Sequence, residues 1–298
     1  MQVIRSNNTR PVEAEERIQE RIDRVDPTWL KMVVETISVP RHYLAQPEKN
    51  REIADWIEAK FETMGYQVTP QGEYRNLIAT PDQSCKPKML IGAHYDSVPG
   101  TPGADDNGSA VAAMLGCAKA VAGLGLDIAF VAFNREEDGL LGSRDFVSGF
   151  LPDDWPLQEV HVLEMVGYCD HNAGSQRMPK GLPVRLGHDR GDFLALVANR
   201  DSNALIKPIV RLAATYLPGF PVWGLKVFLG LENRFQDIRR SDHAPFWDKG
   251  IPALMWTDTS EFRNHNYHGA GDLPETLDYE FMAKVTRLLT ARAMETLG

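Results

Sequence analysis

Between Leu90 and Ala110 the chain reads LIGAHYDSVPGTPGADDNGSA and places one imidazole, His94, and three carboxylates, Asp96, Asp105 and Asp106, between two apolar runs. Acids crowded with an imidazole in one loop repel and desolvate one another unless a cation or a hydrogen-bond network compensates them, and a metal is the simplest compensation. A second cluster, Arg135-Glu136-Glu137-Asp138, directly follows the apolar run IAFVAF. Adjacent carboxylates at a strand end point in different directions, so one can ligate a metal while its neighbour faces the attacking water, as metal-assisted hydrolysis requires. An acidic triplet ahead of a helix also complements the helix dipole, and that plainer reading stands beside the first. Glu164 interrupts the apolar run HVLEMVGY, where a carboxylate must be ion-paired or metal-bound to stay charged. His268 lies in the loop NHNYH after IPALMWT, a setting in which a lone histidine is usually solvated. Together these positions offer nitrogen and oxygen donors without a thiolate, each at the end of an expected strand. Such a set suits two zinc-like ions bridged by one carboxylate, roughly 3.5 to 4 Å apart.

The elements that must position these groups follow from hydrophobic period. Runs at 76–80, 89–93, 128–133, 161–166, 193–198, 227–231 and 251–257 read as strands. Helices are expected at 13–24, at 27–38 behind an Asp26 cap, at 50–64 with Gly65 as the stop, at 107–122, at 202–216, from a Ser241 cap through Trp247, and at 277–297. The alternation predicts one α/β domain with a mixed or largely parallel sheet covered on both faces, residues 1–48 forming a helical arm packed on it. In such sheets, loops at the carboxyl ends of strands carry the sites. The polar passage from Gly167 to Asp192 is longer than an ordinary connection and reads as a functional loop or a small insertion.

Composition narrows the partners. The chain has 298 residues, 41 acidic against 32 basic, which leaves no electrostatic footprint for nucleic acid. No apolar run approaches the roughly 18 residues of a membrane span, and the polar first thirty residues do not read as a signal peptide, so a cytoplasmic location is expected. Cys85, Cys117 and Cys169 are widely spaced, which suits free thiols better than a disulfide framework or a cysteine-based zinc site. Oligomeric state has no signal in the sequence.

The ordered motifs HYDSVPGTPGADDNGSA, NREEDGLLGS, LEMVGY and YHGAGDLPETLDYEFM resemble those of the M28 family of zinc aminopeptidases, over a stretch from about Asn50 to the C-terminus. The resemblance implies a three-layer, phosphorylase/hydrolase-like α/β domain with a co-catalytic pair of zinc ions acting on a peptide or small amide. Carried onto this sequence, Asp105 bridges the metals, His94 and Glu164 complete one site, and Glu137 and His268 complete the other. Glu136 is then the general base, Asp96 orients His94, and the Asp105–Asp106 peptide bond is cis. Many members carry aspartate where this chain has Glu164, which bears on whether one metal or two are held. The segment SDHAPFW also matches the family and gives Asp242 and His243 a part in positioning substrate, against a capping and packing role. Trp256 and Phe246 could line a pocket, though core packing is the plainer expectation. The single-zinc glutaminyl-peptide cyclotransferases of the same family are the alternative, disfavoured by the second acid of Asp105-Asp106. A non-catalytic scaffold of this fold would be expected to have lost ligands or the base.

Overall fold

The apolar runs become a sheet of nine strands: β1 Gln2–Arg5, β2 Gln67–Gln71, β3 Asn76–Thr80, β4 Met89–His94, β5 Ile128–Phe133, β6 Glu159–Glu164, β7 Leu194–Ala198, β8 Val222–Lys226 and β9 Ala253–Thr257. The structure is a computed structural model and describes residues 1–184 and 187–298. The strand order is β1-β8-β7-β9-β6-β4-β5-β3-β2. The middle block β9-β6-β4-β5 is parallel throughout, and the pairings that leave it, β9 to β7 and β5 to β3, are antiparallel. All residues of β4, β5 and β6 are buried, as strands covered on both faces must be.

The helices are α1 Glu16–Ile22, α2 Pro27–Ile37, α3 Pro47–Thr63, α4 Ala110–Val121, α5 Leu141–Asp145, α6 Asn203–Tyr216, α7 His243–Asp248 and α8 Tyr279–Leu297. Alternate strand residues divide between two cores. Ile91, Phe130 and Leu196 pack in one apolar cluster with α1–α4, α6 and α8. Leu90, Val131 and Val160 face the other, which holds Phe146, Phe246 and Trp247 beside α5 and on α7. The result is the expected three-layer α/β arrangement. Asp26 caps α2, its side chain accepting from the Thr28 N–H, and Asp278 caps α8 by accepting from Glu280 and Phe281.

Three expectations shift. The strand expected at 227–231 forms instead at Val222–Lys226, where Gly224 admits Ile206 of α6 at a position any Cβ would block. Leu229 and Gly230 then turn with φ of 61° and 67°. Residues 2–5, expected as part of the helical arm over 1–48, instead form β1 at the outer edge of β8. The helix expected from Asn107 starts at Ala110, preceded by a kinked turn over Ala104–Ser109 in which Asp106 and Asn107 leave helical geometry. Among the described residues no helix is long and apolar enough to cross a membrane.

Candidate metal centre

The parallel block delivers its polar groups at one edge. His94 is the last residue of β4 and Glu164 the last of β6, while Glu136 and Glu137 follow β5. Asp96 ties two of these strand ends together: its carboxylate accepts the Glu136 N–H at 3.2 Å and the Glu137 N–H at 3.3 Å, and one oxygen sits 3.4 Å from His94 Nδ1. The other ring nitrogen, Nε2, is 3.5 Å from Asp106 Oδ1, 3.5 Å from Glu164 Oε2 and 3.8 Å from Glu136 Oε2. His268 arrives from the loop after β9, its Nε2 lying 3.1 Å from Asp106 Oδ2 and 3.4 Å from Glu137 Oε2. Asp106 therefore offers one oxygen to each imidazole.

This corrects the sequence reading, which gave the bridging position to Asp105. The Asp105 carboxylate points away, accepting from the Gly167 N–H at 3.0 Å and the Asn264 side-chain amide at 2.8 Å. The segment alternates. Asp105, Asn107 and Ser109 face the end of β6, where Asn107 bonds Leu163 and Met165 and Ser109 accepts from Val166, so Asp106 between them is turned to the opposite side. Asp272 fixes that turn by accepting both the Asp105 and Asp106 N–H groups. The cis bond lies one residue later than expected, between Asp106 and Asn107.

The electrostatics are those of an unbalanced anionic cluster. Burial pushes Glu136 well above the ordinary carboxylate range, and Glu137 rises to about 7 through burial and the nearby Asp106 charge. Against burial, Asp106 and Glu137 raise His268 to about 10, and Glu136, Asp106, Asp96 and Glu164 hold His94 well above its usual value. Both ring nitrogens of His94 and Glu137 Oε1 are buried without a hydrogen-bond partner. Orphaned buried donors and acceptors are costly unless something coordinates them. Two donor groups, His94/Asp106/Glu164 and Asp106/Glu137/His268, each have ligand atoms within 4.8 Å of one another and share Asp106. Their nitrogen and oxygen donors suit divalent cations of borderline softness.

Ser241 was expected to cap a helix; its hydroxyl instead donates to Glu164 Oε2 at 2.6 Å, and Asp242 precedes α7 without a side-chain cap. Asp242 is enclosed, neither oxygen well hydrogen-bonded, and burial lifts it to about 7 against the pull of His94 and the Ser143 hydroxyl. His243 is equally enclosed; its Nε2–H donates to the Ile238 carbonyl at 2.9 Å and its ring meets Trp247 edge-on. Neither borders the cavity, so the positioning role expected for them is not one of direct contact. Trp256 and Phe246 are core residues, with Trp256 Nε1 donating to His161 Nδ1.

The cavity, about 410 Å³, opens over Asp106, Glu136, Glu137, Glu164 and His268. Its far wall is apolar, built from Phe193, Trp223, Leu225, Met178 and Leu182; Met178 and Leu182 come from the passage expected as a functional loop, while Phe193, Trp223 and Leu225 were not expected at the site. Phe193 and Trp223 stack with centroids 4.0 Å apart. At the rim Arg240 holds Glu261 through two bonds of 2.6 and 2.7 Å.

Fold and site together define a class, an α/β protein that gathers metal-binding groups at the carboxyl edge of its sheet. The chain belongs to peptidase family M28, whose sequence profile matches residues 76–184. It is 34% identical over 253 residues to the uncharacterized protein YfbL of Escherichia coli K12, covering 78% of this chain and 76% of that one. It is 45% identical over 215 residues to the aminopeptidase YwaD of Bacillus subtilis, covering 70% of this chain but only 41% of YwaD. It likewise spans 57% of a probable leucine aminopeptidase of Arthroderma otae, at 27% identity over 75% of this chain. The LapA aminopeptidase of Legionella pneumophila shares the fold, with TM-score 0.75 and 21% identity over 97% of this chain and 77% of LapA. So does a glutaminyl cyclase of Porphyromonas gingivalis, with TM-score 0.65 and 17% identity over 91% and 98% of the two chains.

Proposed function

We propose that this chain is a zinc-dependent aminopeptidase that hydrolyses the N-terminal peptide bond of a peptide or small amide. The observation that carries the reading is Asp106 standing between two imidazole–carboxylate pairs, an arrangement with two equivalent halves rather than one. His94 and Glu164 would hold one ion, Glu137 and His268 the other, and Asp106 both. Zinc bound there supplies Lewis acidity toward a carbonyl oxygen and lowers the pKa of a water. Glu136 lies beside the cluster with its pKa raised by burial, suited to take a proton from the attacking water and return it to the leaving amine. Asp96 stands 3.4 Å behind His94 Nδ1 and, through the Glu136 and Glu137 N–H groups, holds the backbone that aims base and ligand.

A free N-terminal amine would dock beside the metals at the polar end of the cavity, and the apolar wall would take the side chain next to it. That combination favours substrates with an unblocked amine and a large apolar first residue. The three cysteines are unpaired, which suits a reducing compartment such as the cytoplasm. The test is elemental analysis for metal together with a panel of aminoacyl chromogenic amides and an N-terminal glutamine peptide. Two zinc per chain with chelator-sensitive release from free-amine substrates supports the reading. One zinc with cyclisation of glutamine replaces it with the cyclotransferase reading.

A further inference from the structure

Away from the cavity, side chains from two distant stretches converge. Cys169 and His171 begin the long passage after β6, Asp278 caps α8, and a sulfur, a nitrogen and an oxygen from these three lie within 4.8 Å of one another. Cys169 Sγ is 3.6 Å from His171 Nε2. Ligands bound at about 2.3 Å (sulfur) and 2.05 Å (nitrogen) with a tetrahedral angle between them stand about 3.6 Å apart. The second ring nitrogen, Nδ1, is 3.5 Å from Asp192 Oδ2, and Asp192 Oδ1 is 2.6 Å from His188 Nε2. A carboxylate behind the far nitrogen is the usual support of a metal-bound histidine, because it fixes the tautomer and turns the near nitrogen outward. Asp278 caps α8 through Oδ1, leaving Oδ2 outside those bonds, and its N–H donates to the Gly167 carbonyl at 2.9 Å, fixing the two stretches together.

We propose that Cys169, His171 and Asp278 form a further cation site, separate from the cavity cluster, that takes a divalent ion of the zinc class with solvent as the fourth ligand. The wide spacing of the three cysteines argued against a cysteine-based site in the sequence; one built on a single cysteine with a partner from the start of α8 leaves no such spacing. Binding breaks the Cys169 S–H bond, forms a sulfur–metal bond and releases the proton to solvent, with no change of oxidation state. None of the three residues borders the cavity, but the passage they anchor carries Met178 and Leu182 of its wall. The ion thereby ties the root of that wall to α8.

Cobalt(II) reconstitution of the metal-free full chain tests this. The cavity cluster has only nitrogen and oxygen donors, so a near-ultraviolet thiolate-to-cobalt absorption can arise only at a cysteine. The expected result is such a band in the parent protein, its loss with one cobalt fewer per chain in Cys169→Ser, and a weaker band with a smaller fall in cobalt content in His171→Ala. His171 is 72% exposed, so its replacement leaves the fold intact should Cys169→Ser destabilise it. A parent protein without the band, a band that survives Cys169→Ser, or unchanged cobalt content in both variants overturns the site. Because the readout is independent of turnover, failure of the aminopeptidase reading leaves this test unaffected.

Discussion

Strands β4, β5 and β6 present their chemistry from their ends, whereas β7 and β8 present theirs from a face. At the ends, the parallel ladder closes on His94 of β4 and Glu164 of β6, and Glu136 follows three residues after the last of β5. On the flank, odd-numbered residues Ala195, Val197, Trp223 and Leu225 turn to the cavity, while Leu194, Leu196 and Val222 between them belong to the core under α6. One region selects for charge where the sheet stops, and the other for apolar bulk where it continues. A site can therefore have a polar half that is conspicuous in the chain and an apolar half that is indistinguishable from core. The comparison predicts that changes at strand ends abolish metal binding or turnover outright, while changes on the flank alter which substrate is chosen.

The largest effect is expected where one carboxylate serves both halves of the cluster. Asp106→Asn should leave the purified protein with little metal and no measurable activity, whereas Asp105→Asn, which keeps the contact with Gly167, should retain metal with affinity reduced about 10–100-fold, as for a group acting through the ligands. Elemental analysis and chelator competition on the two variants decide the matter; equal metal loss in both would mean that the division between these neighbours is wrong. Next comes Glu136→Gln. As a base rather than a ligand it should keep full metal content while kcat falls about 10²–10⁴-fold, and loss of metal would exchange its role with that of Glu137.

The flank gives a smaller and selective effect. Removing the Trp223 ring opens the wall that Phe193 stacks against. With about 1–3 kcal/mol per methylene-sized change in an apolar pocket, Trp223→Ala should lower kcat/KM for leucine and phenylalanine amides at least about 10-fold and for alanine amides only slightly. A uniform fall for all three would place Trp223 in the support of the fold rather than in selection.

What the sequence made legible follows the same division. Strands β4, β5 and β9 were readable because their apolar runs are uninterrupted, β3 and β5 begin and end where the pattern says, and β6, which carries His161 and Glu164, starts two residues before the expected 161–166. His94, Glu136, Glu137 and Glu164 stood out because a charge ending an apolar run is unusual, whereas His268, in a loop well past β9, was placed by the family resemblance. Asp106 was misplaced by one position because two adjacent acids look alike in sequence, and only the alternation of Asp105, Asn107 and Ser109 against β6 separates them. β1 was missed because four residues pairing with β8 carry no period of their own. The apolar wall was missed because Trp223 and Leu225 have the same pattern as any buried strand. Convergence of Cys169 with Asp278 is a property of the tertiary fold and has no local trace.

The smallest expected effect concerns the layer beneath the cluster. His243 looked from its motif like a residue at the substrate; enclosed as it is, burial pulls its pKa from 6.5 down to about 4, slightly opposed by its bond to the Ile238 carbonyl. The folded protein thus holds this imidazole neutral, while the unfolded chain takes up a proton near 6.5. Stability from this group is complete above pH 6.5 and is lost as pH falls toward 4, by at most about 3 kcal/mol at 1.36 kcal/mol per unit. Glu159 acts in a lower window: against burial, His161 and Arg292 hold it near 2, so its contribution is present above its unfolded pKa of 4.5 and fades only as pH falls toward 2. Denaturant unfolding in chelator, compared between the parent and His243→Gln at pH 7 and at pH 4.5, isolates the histidine, because the cluster's own titration is common to both proteins. The parent should lose more stability than the variant between the two pH values, while kcat at pH 7 in the zinc-loaded forms stays within a few-fold. Equal losses, with kcat collapsing in the variant instead, would return His243 to the substrate and erase the distinction between the face that selects and the layer that only supports.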